Sequence, residues 1–134
     1  MQMATLSGYE TIPPSNTTGT GVFFMGPASA YGISYTIILS DIDKVTDVNL
    51  KAGWKGENGD IVIKLYNSSE PTDLINGILI SSQFNTTDIK NSEFNPVLTD
   101  QKNVYVNVIT KDYPQGELRG QLHWIYPIYD LFKN

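Results

Sequence analysis

The chain has 134 residues, with no cysteine, one histidine, and nine lysines and arginines against fourteen aspartates and glutamates. Without cysteine there can be no disulfide, thiolate metal site or cysteine nucleophile. A chain of this length buries roughly two thirds of its unfolded surface, so its core needs no cross-links. An extracellular location therefore stays open. One histidine, His123, cannot build a metal cage, and no Ser-His-Asp arrangement can be argued from spacing. Beside Trp124 it reads as a surface or packing residue.

The net charge is −5 and the basic residues are scattered. That excludes the basic stripe of a nucleic-acid binder and the cationic cluster that holds an anionic membrane. The acidity itself reads as solubility. No apolar run approaches the ~20 residues of a membrane span. Met1-Gln2-Met3 shows no signal-peptide pattern, so a secreted protein is expected to be seen here in its mature form or as a trimmed chain. One domain spanning 1–134 follows from the length.

What the chain does have is alternation. Tyr31, Ile33, Tyr35, Ile37 and Leu39 share one parity against Gly32, Ser34, Thr36 and Ser40, the pattern of a strand with one buried face. Val104, Val106 and Val108 alternate with Tyr105, Asn107 and Ile109. A turn at 111–116 follows, and then Leu118, Leu122 and Trp124 alternate with Glu117, Arg119, Gln121 and His123. Gly120 falls on the apolar face, where it leaves room for a close neighbour. Further strands are expected at 5–9, 20–25, 45–51, 61–66 and 77–82, with a glycine-rich loop at 53–60. Residues 83–101 read as a long polar connection containing a short helical turn. About eight short strands with no long helical periodicity predict an all-β fold, an antiparallel Greek-key β-sandwich.

Three stretches resemble the CHRD (chordin-type) domain family. They are Leu6-Ser7-Gly8-Tyr9-Glu10 with Pro13-Pro14, the segment Asn49 to Gly59, and Tyr105-Val106-Asn107-Val108-Ile109-Thr110 with Pro114-Gln115-Gly116-Glu117-Leu118-Arg119-Gly120-Gln121. The resemblance covers about residues 6–122 and leaves an apolar tail at 123–134. It implies a sandwich similar to superoxide-dismutase-like and immunoglobulin-like domains. These domains also occur in microbial extracellular proteins, so the resemblance implies an extracellular or cell-surface location. The family pattern carries three histidines where this chain has Asn49, Lys51 and Ile109. Two histidines at i and i+2 on a strand point the same way and can clamp one metal. Here the pair is gone, and Lys51 brings a cation instead. No transition-metal cofactor is expected.

The remaining candidates each have two readings. Asp41, Asp43 and Asp47, and separately Glu57, Asn58 and Asp60, are oxygen-rich and form candidate calcium loops; such residues also simply form turns. Glu10, Glu117 and Arg119 are the charged residues of the family motifs. They read either as an anion or catalytic site or, preferably, as a Glu–Arg bridge pinning the N-terminal loop to the last strand. Asn16, Asn67 and Asn85 head three N-glycosylation sequons in expected loops or strand ends. Trp124, Ile125, Tyr126, Ile128, Tyr129, Leu131 and Phe132 make an apolar tail. It either caps the sandwich or contacts another chain.

Together these point to a non-catalytic extracellular or cell-surface module for binding or assembly. It is expected to act through a protein partner or self-assembly, with no nucleic acid and no membrane span. The alternatives are a metal-dependent redox protein of dismutase type and a calcium-stabilised surface domain.

Overall fold

A computed structural model describes residues 1–26, 32–89 and 104–125. Among these residues, nine strands form two antiparallel sheets. One sheet holds, in spatial order, β6 (Ile75–Phe84), β3 (Ile33–Ile42), β2 (Thr20–Met25), β1 (Gln2–Leu6) and β9 (His123–Trp124). The other holds β5 (Ile61–Asn67), β4 (Val45–Ala52), β7 (Val104–Thr110) and β8 (Leu118–Gln121). The chain changes sheet after β3, β5, β6 and β8, so β6 returns beside β3, β7 beside β4 and β9 beside β1. This is the sandwich expected from the alternation. No helix among the described residues is long and apolar enough to cross a membrane.

Side-chain parity sorts the residues. On β3, Ile33, Tyr35, Ile37 and Leu39 face inward while Ser34, Ile38 and Ser40 face out. On β7, Val106 and Val108 lie opposite Leu50 and Val48 of β4, and all four are buried. These residues join Leu6, Phe23, Met25, Leu118 and Leu122 in one continuous core. Tyr35 stacks against Phe23 with ring centroids 6.2 Å apart. Its hydroxyl donates to the Leu65 carbonyl at 2.5 Å, tying the two sheets together across the core. Such a bond is needed, because a buried phenol without a partner is costly.

The first strand differs from expectation. It runs from Gln2 to Leu6, and residues 8–10 form a 3-10 turn. β1 pairs with β2 along its whole length and with β9 at Gln2 and Met3. Ladder pairing uses peptide groups, so it does not need the apolar alternation that residues 1–4 lack. Further on, the Gly8 carbonyl accepts from the Thr11 and Ser15 amides and from the Thr11 hydroxyl, which curls the chain out of the sheet. β6 is longer than expected, because it pairs with β3 from Ile75 to Phe84 through two register shifts. A short 3-10 turn at Thr86–Asp88 lies within the expected long connection, whose residues 90–101 are outside the described ones.

Along one side the sheets close onto each other. The Ser7 amide donates to the Arg119 carbonyl at 3.1 Å, and the Arg119 amide donates to the Ser7 carbonyl at 3.0 Å. Beside this seam, a Cβ on Gly120 would collide with the Thr5 carbonyl. The glycine is what lets β8 approach β1.

Candidate functional site

On the outer face of the four-stranded sheet, the polar side chains at the centre are buried. Strand register lines up Lys64, Asn49, Asn107 and Arg119 in one cross-strand row, and Ile61, Lys51, Tyr105 and Gln121 in the next. Asn49 and Asn107 are 3% and 4% exposed, and Tyr105 and Arg119 are each 1% exposed. Tyr105 and Asn107 were expected on the strand's second face. The parity is as expected, but a loop covers Tyr105 and its neighbour Arg119.

That loop is 53–60. The Ala52 amide donates to the Asp60 carbonyl, and the Glu57 amide to the Trp54 carbonyl, each at 2.9 Å. Gly56, at φ 85°, makes the reversal between them, a conformation that favours glycine. The Gly59 amide donates to the Tyr105 hydroxyl at 3.1 Å.

The chain's one arginine holds the loop down. Nη2 of Arg119 donates to the carbonyls of Trp54 at 2.9 Å and Glu57 at 2.6 Å, and to Gln121 Oε1 at 3.2 Å. Nη1 donates to Asn58 Oδ1 at 3.3 Å. The guanidinium lies 3.5 Å from the centroid of the Tyr105 ring. Gln121 extends the clamp, donating through Nε2 to the Gly53 carbonyl at 3.1 Å.

Burying a lone cation costs several kcal/mol, so the site must return that through charge-assisted hydrogen bonds and the ring face. Burial pushes the Arg119 pKa down, and Tyr105, Glu10 and Glu57 act in the opposite direction. Arginine remains charged in any case.

The expected Glu–Arg bridge does not form. Among the described residues, Arg119 makes no ion pair with Glu10 or Glu117. Glu10 pairs with Lys55 at 3.5 Å. Glu117 accepts from the hydroxyls of Thr17 at 2.6 Å and Thr110 at 2.8 Å, and its carbonyl accepts from Ser15 Oγ at 2.7 Å. Two positions along a strand span roughly 6.6 Å. Glu117 therefore sits where the N-terminal loop passes, while Arg119 sits under loop 53–60. The pinning is real, but Glu117 and the Ser7 ladder carry it.

The second candidate calcium loop turns its oxygens elsewhere. The Glu57 carbonyl and Asn58 Oδ1 already face a cation, the guanidinium of Arg119. In the first, Asp41 accepts from the Thr18 hydroxyl at 2.5 Å, and Asp47 accepts from Asn67 Nδ2 at 2.5 Å. The described residues contain no cluster of three or more His, Cys, Asp or Glu side chains able to hold a metal, so Asp41, Asp43 and Asp47 do not converge.

Asn49, Lys51 and Ile109, at the family's histidine positions, do share the outer face. Asn49 Oδ1 is buried without a hydrogen-bond partner. The Lys51 pKa is pushed down, by burial first and then by the Arg119 charge, with Asp60 opposing. One neutral amide oxygen beside two cationic side chains is a donor set that does not suit copper or zinc.

Asn16, Asn67 and Asn85 are all exposed. Trp124 and Ile125 are half-buried, and the Ile125 amide donates to the Met1 carbonyl at 3.0 Å. Tyr126, Ile128, Tyr129, Leu131 and Phe132 lie outside the described residues. His123 is exposed, as expected.

A cleft escaped the sequence reading. It has a volume of about 310 Å³ and lies over the β1–β8 seam, lined by Thr5, Ser7, Glu10, Lys55, Gln121 and His123, with Gly120 in its floor. Tyr9 and Trp54 flank Glu10 and Lys55 in sequence and are 90% and 54% exposed. A tryptophan inside a glycine-rich loop was the available signal. A second cleft, of about 280 Å³, is walled by Pro13, Pro14, Tyr113 and Pro114.

Fold and site together define an antiparallel β-sandwich domain with an arginine-clamped loop across one outer face. The chain belongs to the CHRD domain family, whose model matches residues 3–122. That span includes loop 53–60, Glu117 and Arg119. Neither the curated proteins nor the solved structures contain a match to the chain.

Proposed function

We propose that this domain is a non-catalytic extracellular or cell-surface module for binding or assembly, and that it meets its partner through the clamped loop. One observation carries the reading: buried Arg119 engages the loop's backbone and leaves Trp54 presented to solvent on a fixed frame. Trp and Tyr held this way supply contact area at low entropic cost, and exposed aromatics of this kind become the anchors of interfaces. CHRD membership supports the extracellular setting.

The test is retention of the purified domain on extracellular material from the cells that produce it. Trp54→Ala should lower retention at least tenfold with an unchanged melting temperature. Equal retention of wild type and variant would refute the reading.

The same proposal holds that no copper or zinc binds at Asn49, Lys51 and Ile109, where a cation faces the site instead of imidazoles. Metal analysis of tag-free protein checks this, and one equivalent held there would restore the redox alternative. Assembly through the tail beginning at Trp124 is the second surface of the reading. β9 pairs only with β1 among the described residues, at the end of its sheet. Deleting residues 125–134 should change the particle mass measured by light scattering. A deletion that keeps the mass but loses most of the stability would make the tail an intramolecular cap.

A further inference from the structure

We propose that the cleft over the β1–β8 seam is a carbohydrate site, taking a neutral saccharide unit of a glycan or polysaccharide. The inference rests on the binding-module reading and names its ligand class.

Ligand pockets are predominantly apolar with a few polar groups. Here every side chain in the lining is polar, and the apolar part of the surface comes from the carbon stems of those same side chains. Its side chains are hydroxyls (Thr5, Ser7), a carboxylate (Glu10), an ammonium (Lys55), a carboxamide (Gln121) and an imidazole (His123). Gly120, also in the lining, adds no side chain. A peptide side chain would find no apolar anchor pocket of the kind that concentrates protein–protein affinity.

The charges point the same way. Glu10 and Lys55 neutralise each other across the cleft at 3.5 Å. The wall then offers donors and acceptors in a nearly neutral setting, on a chain of net charge −5. That favours a neutral polyol over an anion. Among the described residues, the Thr5 and Ser7 hydroxyls have no hydrogen-bond partner within the chain, so both are available to ring hydroxyls.

The proposal assigns the apolar half of the recognition to Tyr9 and Trp54, which are exposed and directly precede the lining residues Glu10 and Lys55 in the chain. An aromatic face can cover the C–H face of a sugar ring while the polar floor meets its hydroxyls. At about 310 Å³ the cleft sits at the small end of the pocket range of ~300–1,000 Å³. That suits a short saccharide unit.

The experiment is native affinity electrophoresis of the full chain through gels containing dextran, mannan or xylan, with alginate as the acidic comparison. At least one neutral polymer should retard the wild type. Trp54→Ala and Tyr9→Ala should each weaken that retardation at least tenfold while melting as the wild type does. No retardation by any neutral polymer, retardation by alginate alone, or undiminished retardation of both variants would overturn the proposal.

A second arm uses the extracellular material of the retention test after protease or periodate treatment. Periodate cleaves vicinal diols, so Trp54-dependent retention should survive protease and disappear after periodate. The opposite result would mean a protein partner, sinking the carbohydrate inference while leaving the binding-module reading intact. Failure of the untreated material to retain the wild type would sink that reading itself.

Discussion

On the four-stranded sheet, the outer face holds Arg119 and Tyr105 beneath loop 53–60, with Asn49 and Asn107 buried beside them in the sheet. On the five-stranded sheet, the outer face leaves Ile38 and Ile78, register neighbours on β3 and β6, 37% and 63% exposed. At these positions the residue types reverse a simple inside–outside rule: polar side chains are covered on one face, and isoleucines stand open among Ser34, Thr36 and Ser40 on the other. Burial of Arg119 is tolerable because its guanidinium finds acceptors, chiefly the carbonyls of a loop folded back on its own sheet, while Asn49 Oδ1 stays without one. Exposure of Ile38 and Ile78 costs little, since scattered surface isoleucines are common. Burial by itself therefore does not mark the hydrophobic effect; the pattern of hydrogen-bond partners shows what each face contributes.

The comparison can be broken most strongly at Arg119. Arg119→Ala strips four side-chain hydrogen bonds and the contact with the Tyr105 ring. It should cost about 3–5 kcal/mol in urea unfolding. Lysine should not rescue it, because a single ammonium cannot reproduce the planar fork that reaches two carbonyls and two amides. A wild-type midpoint would mean that the covered face is no more demanding than the open one.

Glu117→Ala comes next. It removes the acceptor of the Thr17 and Thr110 hydroxyls and releases the N-terminal loop. A loss of about 1.5–3 kcal/mol is expected for hydrogen bonds to a charged group. Limited proteolysis near residues 11–18 should accelerate in the same variant.

A smaller effect, of opposite sign, is expected at Lys51. Its folded-state pKa lies below the ordinary 10.5, through burial and the Arg119 charge. The unfolded chain therefore holds that proton more tightly, and stability rises with pH. The penalty is complete below the folded-state pKa and is relieved as pH climbs through that value toward 10.5. Lys51→Met should stabilise the domain at neutral pH, by no more than about 1 kcal/mol after solvent screening. The gain should shrink as the solution becomes alkaline. Thermal melts at pH 7 and pH 10 check the sign, and a gain that grows with pH would contradict it.

Ile78→Thr should do least. At an exposed position away from caps and networks, the change stays within ~0.5 kcal/mol. A loss beyond 1 kcal/mol would show that the open face is covered in solution.

How far the sequence could be read follows from the range of the interactions. The strands of the core are local patterns: Ile33 to Leu39 and Val104 to Val108 declare their faces through neighbours two residues away. The family motifs singled out Glu10, Glu117 and Arg119 in the same way. Their partners could not be read, because Arg119 meets carbonyls more than sixty positions earlier, and a carbonyl has no sequence signature. Gln2 lies in β1 although the first strand was expected to begin at Thr5, because pairing with β2 and β9 uses only the backbone. The cleft was invisible for a similar reason. Thr5, Glu10, Lys55 and His123 become neighbours only when β1, β8 and β9 meet.

Alternation, turn chemistry and motif spacing by themselves determined an all-β sandwich, the inward faces of its strands, and a chain without cysteine chemistry. Those properties depend on the period of the backbone and the transfer free energies of single side chains, which each residue carries wherever it sits. Only the tertiary structure decided that loop 53–60 closes over the outer face, that Arg119 clamps carbonyls instead of a carboxylate, and that Glu10 faces Lys55. Those outcomes are choices among acceptors distant in sequence. The closing of the two sheets along β1 and β8 settles them, by fixing which groups lie within hydrogen-bond reach.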